Sequence, residues 1–378
     1  AASDVYKRQE VCRAMSSFVT RRRFCELAGL SAASLALSGR EAFGSEDWDQ
    51  TVRGILDADY RPGIAACRTD GAAVTWSGAF GWADLENKIP MTPDAILNIA
   101  SVSKTITATA VMQLSEAGKI DLDGNVDEYL PFSVRNPHFP GAVITCRQLL
   151  AHRSSIEDGP SYDRSYACGD PTISLESWLK GYIVPGGRFF SREENFHDWR
   201  PGTEAPPEKP RPYSNVGYGV LALVVERVSG VEFSRYTTER IFRPLAMKNT
   251  GWYIRDIDRK LHAVPYTRIS EDFEFPYEYP DPQSYLPQSA EQTTVSGGDL
   301  FPHCIYSFPN YSDGLVRSSV ADLSRFLLAM TNGGELDDHR ILEEKNIRTM
   351  LSDQHFGRGL CWSSTTLGGK SERVWYHG

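Results

Sequence analysis

Ser101 lies three residues before Lys104 in the segment NIASVSKTITATAVMQL, at the start of an apolar, helix-like run. On a helix this spacing is close to one turn, so both side chains lie on the same face. A serine hydroxyl becomes a good nucleophile when a nearby base takes its proton, and a neutral lysine can be that base. Serine is also a common helix cap. The pair therefore predicts either nucleophilic catalysis or an ordinary helix start.

A second polar group, Tyr213-Ser214-Asn215, comes just before a predicted helix. A phenol can give or take a proton, and an asparagine amide can hold a lysine or a substrate amide by hydrogen bonds. The alternative interpretation is a buried tyrosine beside an asparagine cap. In the catalytic interpretation this group supplies the partners that Ser101 and Lys104 need.

His377 and Gly378 form a third group, on a predicted strand at the end of the printed chain. A strand beside a nucleophile can offer backbone N–H groups and bind an extended substrate. The histidine adds a donor or a charge near physiological pH. The alternative is an ordinary, half-exposed histidine on a strand.

The order Ser-x-x-Lys, Tyr-x-Asn and a His-x-Gly motif beginning at His377 resembles the serine β-lactamase and D,D-peptidase superfamily, specifically its class C β-lactamase-related branch. The flanking sequences resemble the same family, and they are ILNIASVSKTITATAVMQLSEAGKIDLDGNVDEYLP, ITCRQLLAHRSS and PYSNVGYGVLALVVERVSGVEF. The resemblance covers about residues 50–378.

The resemblance implies a role for each motif residue. Ser101 would be the acylated nucleophile and one oxyanion donor, and Lys104 and Tyr213 would share proton transfer. The implied substrate-binding residues are Asn215, which would also hold Lys104, and His377 with Gly378, near the substrate carboxylate. The implied fold is α/β (α+β), with an antiparallel sheet flanked by helices, a mostly helical subdomain, and the site between them.

The implied function is a serine hydrolase that cleaves an amide or ester of a small-molecule or peptide substrate through an acyl-serine intermediate. D-amino-acid peptides, β-lactams and small esters all remain open, and the third-motif histidine favours a peptidase or esterase. Two alternatives keep the scaffold: a penicillin-binding sensor acylated without turnover, and a non-catalytic module. Whether Lys104 or Tyr213 is the base also stays open, because coupled groups titrate as a pair.

The sequence departs from the family pattern in several places. The printed chain stops at Gly378, within the third motif and before the second oxyanion donor and the closing strands. We therefore expect the chain as printed to be inactive or unstable, with an unpaired sheet edge. His152-Arg153-Ser154-Ser155 replaces the family's His-Thr-Ser-Gly, and the run from Pro201 to Tyr213 is longer than usual. His152 is interpreted as structural because no paired acid is apparent beside it.

The hydrophobic pattern predicts the elements that must position these residues. Strands are predicted at 63–71 and 72–84 around an Asp-Gly turn, near 358–364, and at 373–378. Helices are predicted at 103–118, 144–155, 216–230 and 320–334. In the first of these helices, one face is apolar and carries Ile106, Ala110, Val111 and Leu114.

Two segments lack a regular pattern, residues 185–212 and 262–312. Long loops of this kind are often functional. The tyrosines of the second segment are expected either to line the cleft or to lie on a surface loop, and they are Tyr266, Tyr277, Tyr279, Tyr285, Tyr306 and Tyr311. The mature chain is predicted to be one unit, residues 45–378, with two interleaved subdomains.

Residues 1–44 are predicted to lie outside this unit. AASDVYKRQE resembles a translated sequencing-adapter scar, and Arg21-Arg22-Arg23 followed by an apolar stretch at 27–37 is typical of a twin-arginine export signal. The stretch is shorter than the roughly 20 residues that span a membrane. We expect a periplasmic or secreted protein with no stable membrane span, cleaved after Ser38 or Gly44.

The composition is that of an ordinary soluble chain, with 41% hydrophobic and 24% charged residues. The net charge of −9 argues against nucleic acid or an anionic membrane as a partner. No C-x-x-C or H-E-x-x-H occurs, so no metal or cofactor is predicted. The cysteines after residue 44 are odd in number and each is expected to be buried among apolar groups: Cys67, Cys146, Cys168, Cys304 and Cys361. The oligomeric state is left open.

Overall fold

A computed structural model describes residues 45–58, 61–206, 212–269, 293–295, 298–302, 304–354, 357–366 and 373–377. The predicted adapter-like scar and export signal at 1–44 and the predicted substrate-binding residue Gly378 lie outside the described residues.

Helices and short antiparallel strands share the described part of the chain. The helices are α1 (Ser45–Ala58), α2 (Ser103–Glu116), α3 (Cys146–Leu150), α4 (Pro160–Asp163), α5 (Leu175–Ile183), α6 (Val216–Ser229), α7 (Phe233–Thr237), α8 (Val320–Thr331) and α9 (Glu344–Met350). The strands are β1 (Gly63–Thr69), β2 (Val74–Asp84), β3 (Ile89–Pro90), β4 (Leu97–Asn98), β5 (Ala167–Cys168), β6 (Tyr266–Ile269), β7 (Thr293–Val295), β8 (Gly298–Pro302), β9 (Tyr306–Ser307), β10 (Arg317–Ser318), β11 (Glu335–Leu336), β12 (His339–Arg340), β13 (Ser363–Thr366) and β14 (Arg373–Tyr376).

The predicted hairpin is confirmed, since β1 and β2 pair antiparallel from Gly63 opposite Gly81 to Arg68 opposite Trp76. Asp70 closes the turn, because its carboxylate accepts the backbone N–H groups of Ala72 and Ala73, each at 2.9 Å. β3 adds a third strand to this sheet. Helix α1 covers one face, where Asp49 accepts the indole N–H of Trp76 at 2.9 Å.

Helix α2 lies at the centre of the molecule and packs against α6. The sequence predicted one apolar face, but every side chain from Ser103 to Met112 is buried. Three threonines make this possible because their hydroxyls are satisfied: Thr105 donates to Val102 O, Thr107 to Ser312 O and Thr109 to Thr105 O, at 2.7–2.8 Å. The predicted apolar face is buried, and the polar side chains on the other faces are buried as well because they find acceptors inside the protein.

The predicted fold class is confirmed by helices packed with small antiparallel sheets, which include β1-β2-β3 and β6-β8-β7. The predicted helices at 216–230 and 320–334 correspond to α6 and α8. Local capping sets one end of each helix. Ser319 accepts the N–H of Asp322 at the start of α8, and Gly230 ends α6 in the left-handed region at φ 72°. Among the described helices, none combines the length and the apolar character that a bilayer crossing requires.

Two sequence predictions fail in the second half of the chain. Within 262–312, predicted as irregular, the described residues include β6, β7, β8 and β9, whose short strands carry too few residues for a periodic signal. The strand predicted near 358–364 begins only at Ser363, where β13 pairs with β14. Cys361, in the left-handed region at φ 78°, interrupts the extended chain before it.

The cysteine prediction is wrong for one pair. Cys168 and Cys304 form a disulfide across 136 residues, with their Cα atoms 5.7 Å apart. The antiparallel pairing of β5 with β9 brings the two segments together, with Cys168 opposite Tyr306. Cys146 and Cys361 are free and buried, as predicted, while Cys67 is only partly buried. Pairing across so many residues depends on the tertiary fold, which cysteine spacing in the sequence does not reveal.

Candidate active site

Ser101 lies in a short 3₁₀ turn, Ala100–Val102, that leads directly into α2. Ala100 has φ 46°, in the left-handed region that costs a non-glycine residue about 1–3 kcal/mol. The Asn98 side chain accepts the Ala100 N–H at 2.9 Å, which holds this turn. The strained turn presents Ser101 at the amino end of the buried helix.

Lys104 is fully buried, and its amine reaches three oxygen atoms. Nζ lies 3.1 Å from Ser101 Oγ, 2.6 Å from Asn215 Oδ1 and 2.7 Å from the backbone oxygen of Asp313. Two of these acceptors come from segments more than a hundred residues away. The lysine is therefore held on two sides by groups that point it at the serine.

Tyr213 approaches Ser101 from the open side. Its hydroxyl lies 2.9 Å from Ser101 Oγ, and the residue is 39% exposed. Lys104 Nζ lies 4.9 Å from the centre of the Tyr213 ring. Ser101 Oγ therefore contacts two groups that can exchange protons with it.

Asn215 is positioned by Asp158, a residue that the sequence analysis did not single out. The Asp158 carboxylate accepts the N–H of Asn215 at 2.8 Å and the N–H of Val216 at 2.9 Å, and so caps α6. Burial raises the pKa of Asp158 to about 6, while these hydrogen bonds and the charge of Lys104 act in the opposite direction. The sequence does not reveal this role, because Asp158 lies far from α6 in the chain and belongs to no recognisable motif.

The Asp313 oxygen that holds Lys104 belongs to a short 3₁₀ turn, Tyr311–Asp313. Asn310 fastens this turn to α6, because its amide donates to the Asn215 backbone oxygen at 2.9 Å and to the Asp313 carboxylate at 2.5 Å. Burial raises the pKa of the Asp313 carboxyl to about 7, and Lys104 and Asn310 act in the opposite direction. Gly219 leaves space for this contact, since a Cβ there would lie 1.7 Å from Asn310 Oδ1.

A protein-family model matches most of the chain. The family model described as Beta-lactamase matches residues 48–378. The chain belongs to the beta-lactamase family. This confirms the superfamily predicted from the three sequence motifs.

Individual relatives have low sequence identity to this chain. The chain is 25% identical over 290 residues to penicillin-binding protein 4* of Bacillus subtilis (strain 168), covering 73% of this chain and 54% of the relative. The chain thus spans about half the length of that protein.

Two solved structures have the same fold. D-amino acid amidase from Ochrobactrum anthropi SV3 is 24% identical, with a TM-score of 0.62 and coverage of 87% of this chain and 84% of that one. EstCE1, described as a hydrolase with promiscuous acyltransferase activity, is 20% identical, with a TM-score of 0.60 and coverage of 83% and 79%. The beta-lactamase family fold of this chain therefore has hydrolases among its structural neighbours.

Within this family fold, His377 closes the site from the side of β14. Its Nδ1 lies 2.7 Å from the backbone oxygen of Cys361, so Nδ1–H donates to that carbonyl. Burial and then the charge of Lys104 lower the pKa of His377 to about 4, against the effect of the Cys361 and Ser101 backbones. A pKa this low favours a neutral ring at physiological pH, with Nδ1–H directed at the Cys361 carbonyl.

The tyrosines that were expected either to line the cleft or to lie on a surface loop have different surroundings. Tyr311 is 2% exposed and packs in the core, so it does not line a cleft. The Tyr266 hydroxyl bonds the turn after β2, at the Leu85 N–H and the Glu86 carboxylate. Tyr306 packs against Tyr166, with ring centres 5.6 Å apart. Tyr277, Tyr279 and Tyr285 lie outside the described residues.

Proposed function

We propose that this protein is a serine hydrolase that cleaves an amide or ester through an acyl-Ser101 intermediate. One observation carries the proposal: Ser101 Oγ lies 3.1 Å from Lys104 Nζ and 2.9 Å from the Tyr213 hydroxyl. A nucleophile within hydrogen-bonding distance of a base, with the base oriented by further groups, is the geometry that activates a serine.

The orientation of Lys104 supports its role in proton transfer. When the amine is neutral, its two N–H groups donate to Asn215 Oδ1 and Asp313 O, and its lone pair points at the Ser101 hydroxyl. When the amine is charged, all three protons have acceptors and a Tyr213 phenolate would take the serine proton instead. The two states hold the same number of protons, so Lys104 and Tyr213 act as a coupled pair.

The proposed reaction proceeds in two similar halves. Ser101 Oγ attacks the carbonyl carbon, its proton passes to the Lys104–Tyr213 pair, and the Ser101 backbone N–H stabilises the oxyanion. The bond to the amine or alcohol then breaks, and that leaving group takes the proton. Water next attacks the acyl carbon and gives its proton to the same pair, and Ser101 Oγ leaves with it as the acid is released.

The names of three similar proteins support the substrate class. The relatives are named as a penicillin-binding protein and a D-amino acid amidase, and a third is described as a hydrolase with acyltransferase activity. We propose a D-amino-acid amide or peptide, or a small ester, ahead of a β-lactam, because a histidine stands at the start of the third motif. Penicillin would then form an acyl-enzyme as an analogue of the substrate.

Intact-mass measurement tests the acyl-serine step. The test uses the protein extended beyond Gly378 so that the third motif is complete. This protein is mixed with benzylpenicillin and, separately, with p-nitrophenyl acetate, and the same protein with Ser101→Ala is the control. We expect a mass increase that needs Ser101 and that decays with time. A stable penicillin adduct with no ester turnover would support the sensor alternative instead, and a folded protein with no adduct from either probe would refute the acyl-serine proposal.

We also propose that the protein acts after export, in the periplasm or outside the cell. The Cys168–Cys304 disulfide supports this, since such bonds form and persist in oxidising compartments. Replacing Arg21 and Arg22 with lysine in the chain should leave the precursor in the cytoplasm. Unchanged appearance of the variant in the periplasmic fraction would contradict twin-arginine export.

A further inference from the structure

The chain on both sides of Tyr213 is held by side chains from elsewhere in the fold. Arg358 donates to the backbone oxygen of Pro212 at 2.6 Å. Ser214 donates its backbone N–H to His152 Nδ1 at 3.1 Å. The peptide groups before and after the candidate proton-transfer residue are therefore both fixed.

His152 also contacts the Tyr213 side chain. The two rings are stacked with centres 4.2 Å apart and planes 23° apart, and the Tyr218 ring lies 5.0 Å from His152 on another side. The Tyr218 hydroxyl donates to Leu150 O at 2.9 Å, just before His152 in the chain. His152 thus joins a fixed part of the core to a tyrosine that is 39% exposed.

The hydrogen bond from Ser214 decides the form of the imidazole. Nδ1 accepts, so in the neutral ring the proton is on Nε2. Burial lowers the pKa of His152 well below its ordinary value, and the charges of Arg358 and Lys104 act in the same direction. His152 therefore cannot serve as a charged donor here, and a protonated ring would lose the Ser214 bond.

We infer that His152 is a positioning residue for Tyr213, which uses its ring to fix the phenol and its Nδ1 to fix the adjacent backbone. The inference rests on the proposed function, because it gives His152 a part in placing the Tyr213 hydroxyl at Ser101. It replaces the interpretation of His152 as merely structural. An error of about 1 Å in the position of a reacting group can cost about a hundredfold in rate.

Two substitutions separate the two contacts. His152→Asn keeps an acceptor near the Nδ1 position and suits the left-handed backbone at φ 57°, but it removes the stacked ring. His152→Phe keeps a ring and removes the acceptor. His339→Asn, at an exposed histidine, is the matched control. Circular dichroism and the melting temperature show that each variant is folded.

We expect both His152 variants to lower kcat for p-nitrophenyl acetate by roughly 10–100-fold, with KM within about threefold, because the chemical step is impaired and binding is not. His339→Asn should match the wild type. A purely structural role would lower the melting temperature and leave kcat of the folded protein unchanged. Wild-type kcat in both folded His152 variants would overturn the inference.

A second readout does not depend on activity. Nitrogen-15 NMR of labelled imidazoles, with His152→Asn to assign the signal, should show His152 neutral and protonated at Nε2 from pH 5 to pH 8. A proton on Nδ1, or a charged ring in this range, would overturn the inference. If the wild-type protein forms no adduct at Ser101, the proposed function fails, and the NMR result alone decides whether His152 holds the Tyr213 segment as inferred.

Discussion

The free energy of unfolding of Asp158→Asn, taken relative to wild type, should increase as the pH rises. The carboxylate caps α6, and Oδ1 accepts the N–H groups of Asn215 and Val216, each at 2.9 Å. An asparagine that turns its Oδ1 the same way keeps these two bonds and loses only the second contact of the Asn215 N–H, with Oδ2 at 2.8 Å. The substitution therefore removes the negative charge and leaves the cap in place.

The size of the effect follows from the pKa of Asp158. Burial raises this pKa from 3.8 to about 6, so the folded protein favours the protonated carboxyl. The protonated carboxyl therefore contributes to the free energy of unfolding. This contribution is fully present below pH 3.8 and is lost as the pH rises through about 6. The difference between the two pKa values corresponds to about 3 kcal/mol, of which about 1.4 kcal/mol falls between pH 5 and pH 8.

Urea unfolding at pH 5 and pH 8 measures the free energy of unfolding of both proteins. The difference, Asp158→Asn minus wild type, should increase by about 1.4 kcal/mol between these pH values. Other titrating groups are common to both proteins and cancel. A difference that decreases with pH would refute the reasoning, because the hydrogen bonds to the carboxylate would then outweigh its burial.

Asp123→Asn provides a control of opposite sign. Arg147 lies 2.7 Å from the Asp123 carboxylate and lowers its pKa. Because a lowered carboxyl pKa contributes stability above the unfolded value, this variant should be less stable than wild type. The deficit should stay constant between pH 5 and pH 8, since the carboxyl is ionised throughout this range.

Three further predictions concern the stability of the fold. Gly219→Ala should destabilise the fold by about 1–3 kcal/mol and lower the acylation rate, because the added Cβ would collide with Asn310 Oδ1. Gly217→Ala is the control, since the nearest atom to its added Cβ would be 3.3 Å away. Thr107→Val should lower the free energy of unfolding by about 1–3 kcal/mol, since Ser312 O loses its donor, and equal melting temperatures would contradict this. Replacing both Cys168 and Cys304 with serine should cost about 2–4 kcal/mol in urea unfolding, with an unchanged midpoint contradicting the prediction.

Asn215 and His377 show what the sequence motifs could and could not predict. The motifs predicted that Asn215 contacts Lys104, and the structure places Asn215 Oδ1 2.6 Å from Lys104 Nζ. They could not give the protonation of His377, because its lowered pKa comes from burial and from Lys104. Burial is a property of the assembled fold, which the residue type does not reveal.

The sequence by itself determined the local features of this protein. The Ser101–Lys104 spacing of about one turn brings the two side chains together where the 3₁₀ turn leads into α2. The polar turn at Asp70 between two apolar runs determines the hairpin. Such features depend on backbone geometry over a few residues, so residue type and spacing are enough to predict them.

Only the tertiary structure decided what holds the catalytic candidates in place. Lys104 meets the Asp313 backbone oxygen across 209 residues, and the Asp158 carboxylate meets the Asn215 N–H across 57. A backbone oxygen is present in every residue, and a lone aspartate is common, so neither leaves a signal in the sequence. Their roles arise because packing of α2 against α6 and the 310–318 segment excludes water, and buried polar groups must then find partners in the protein.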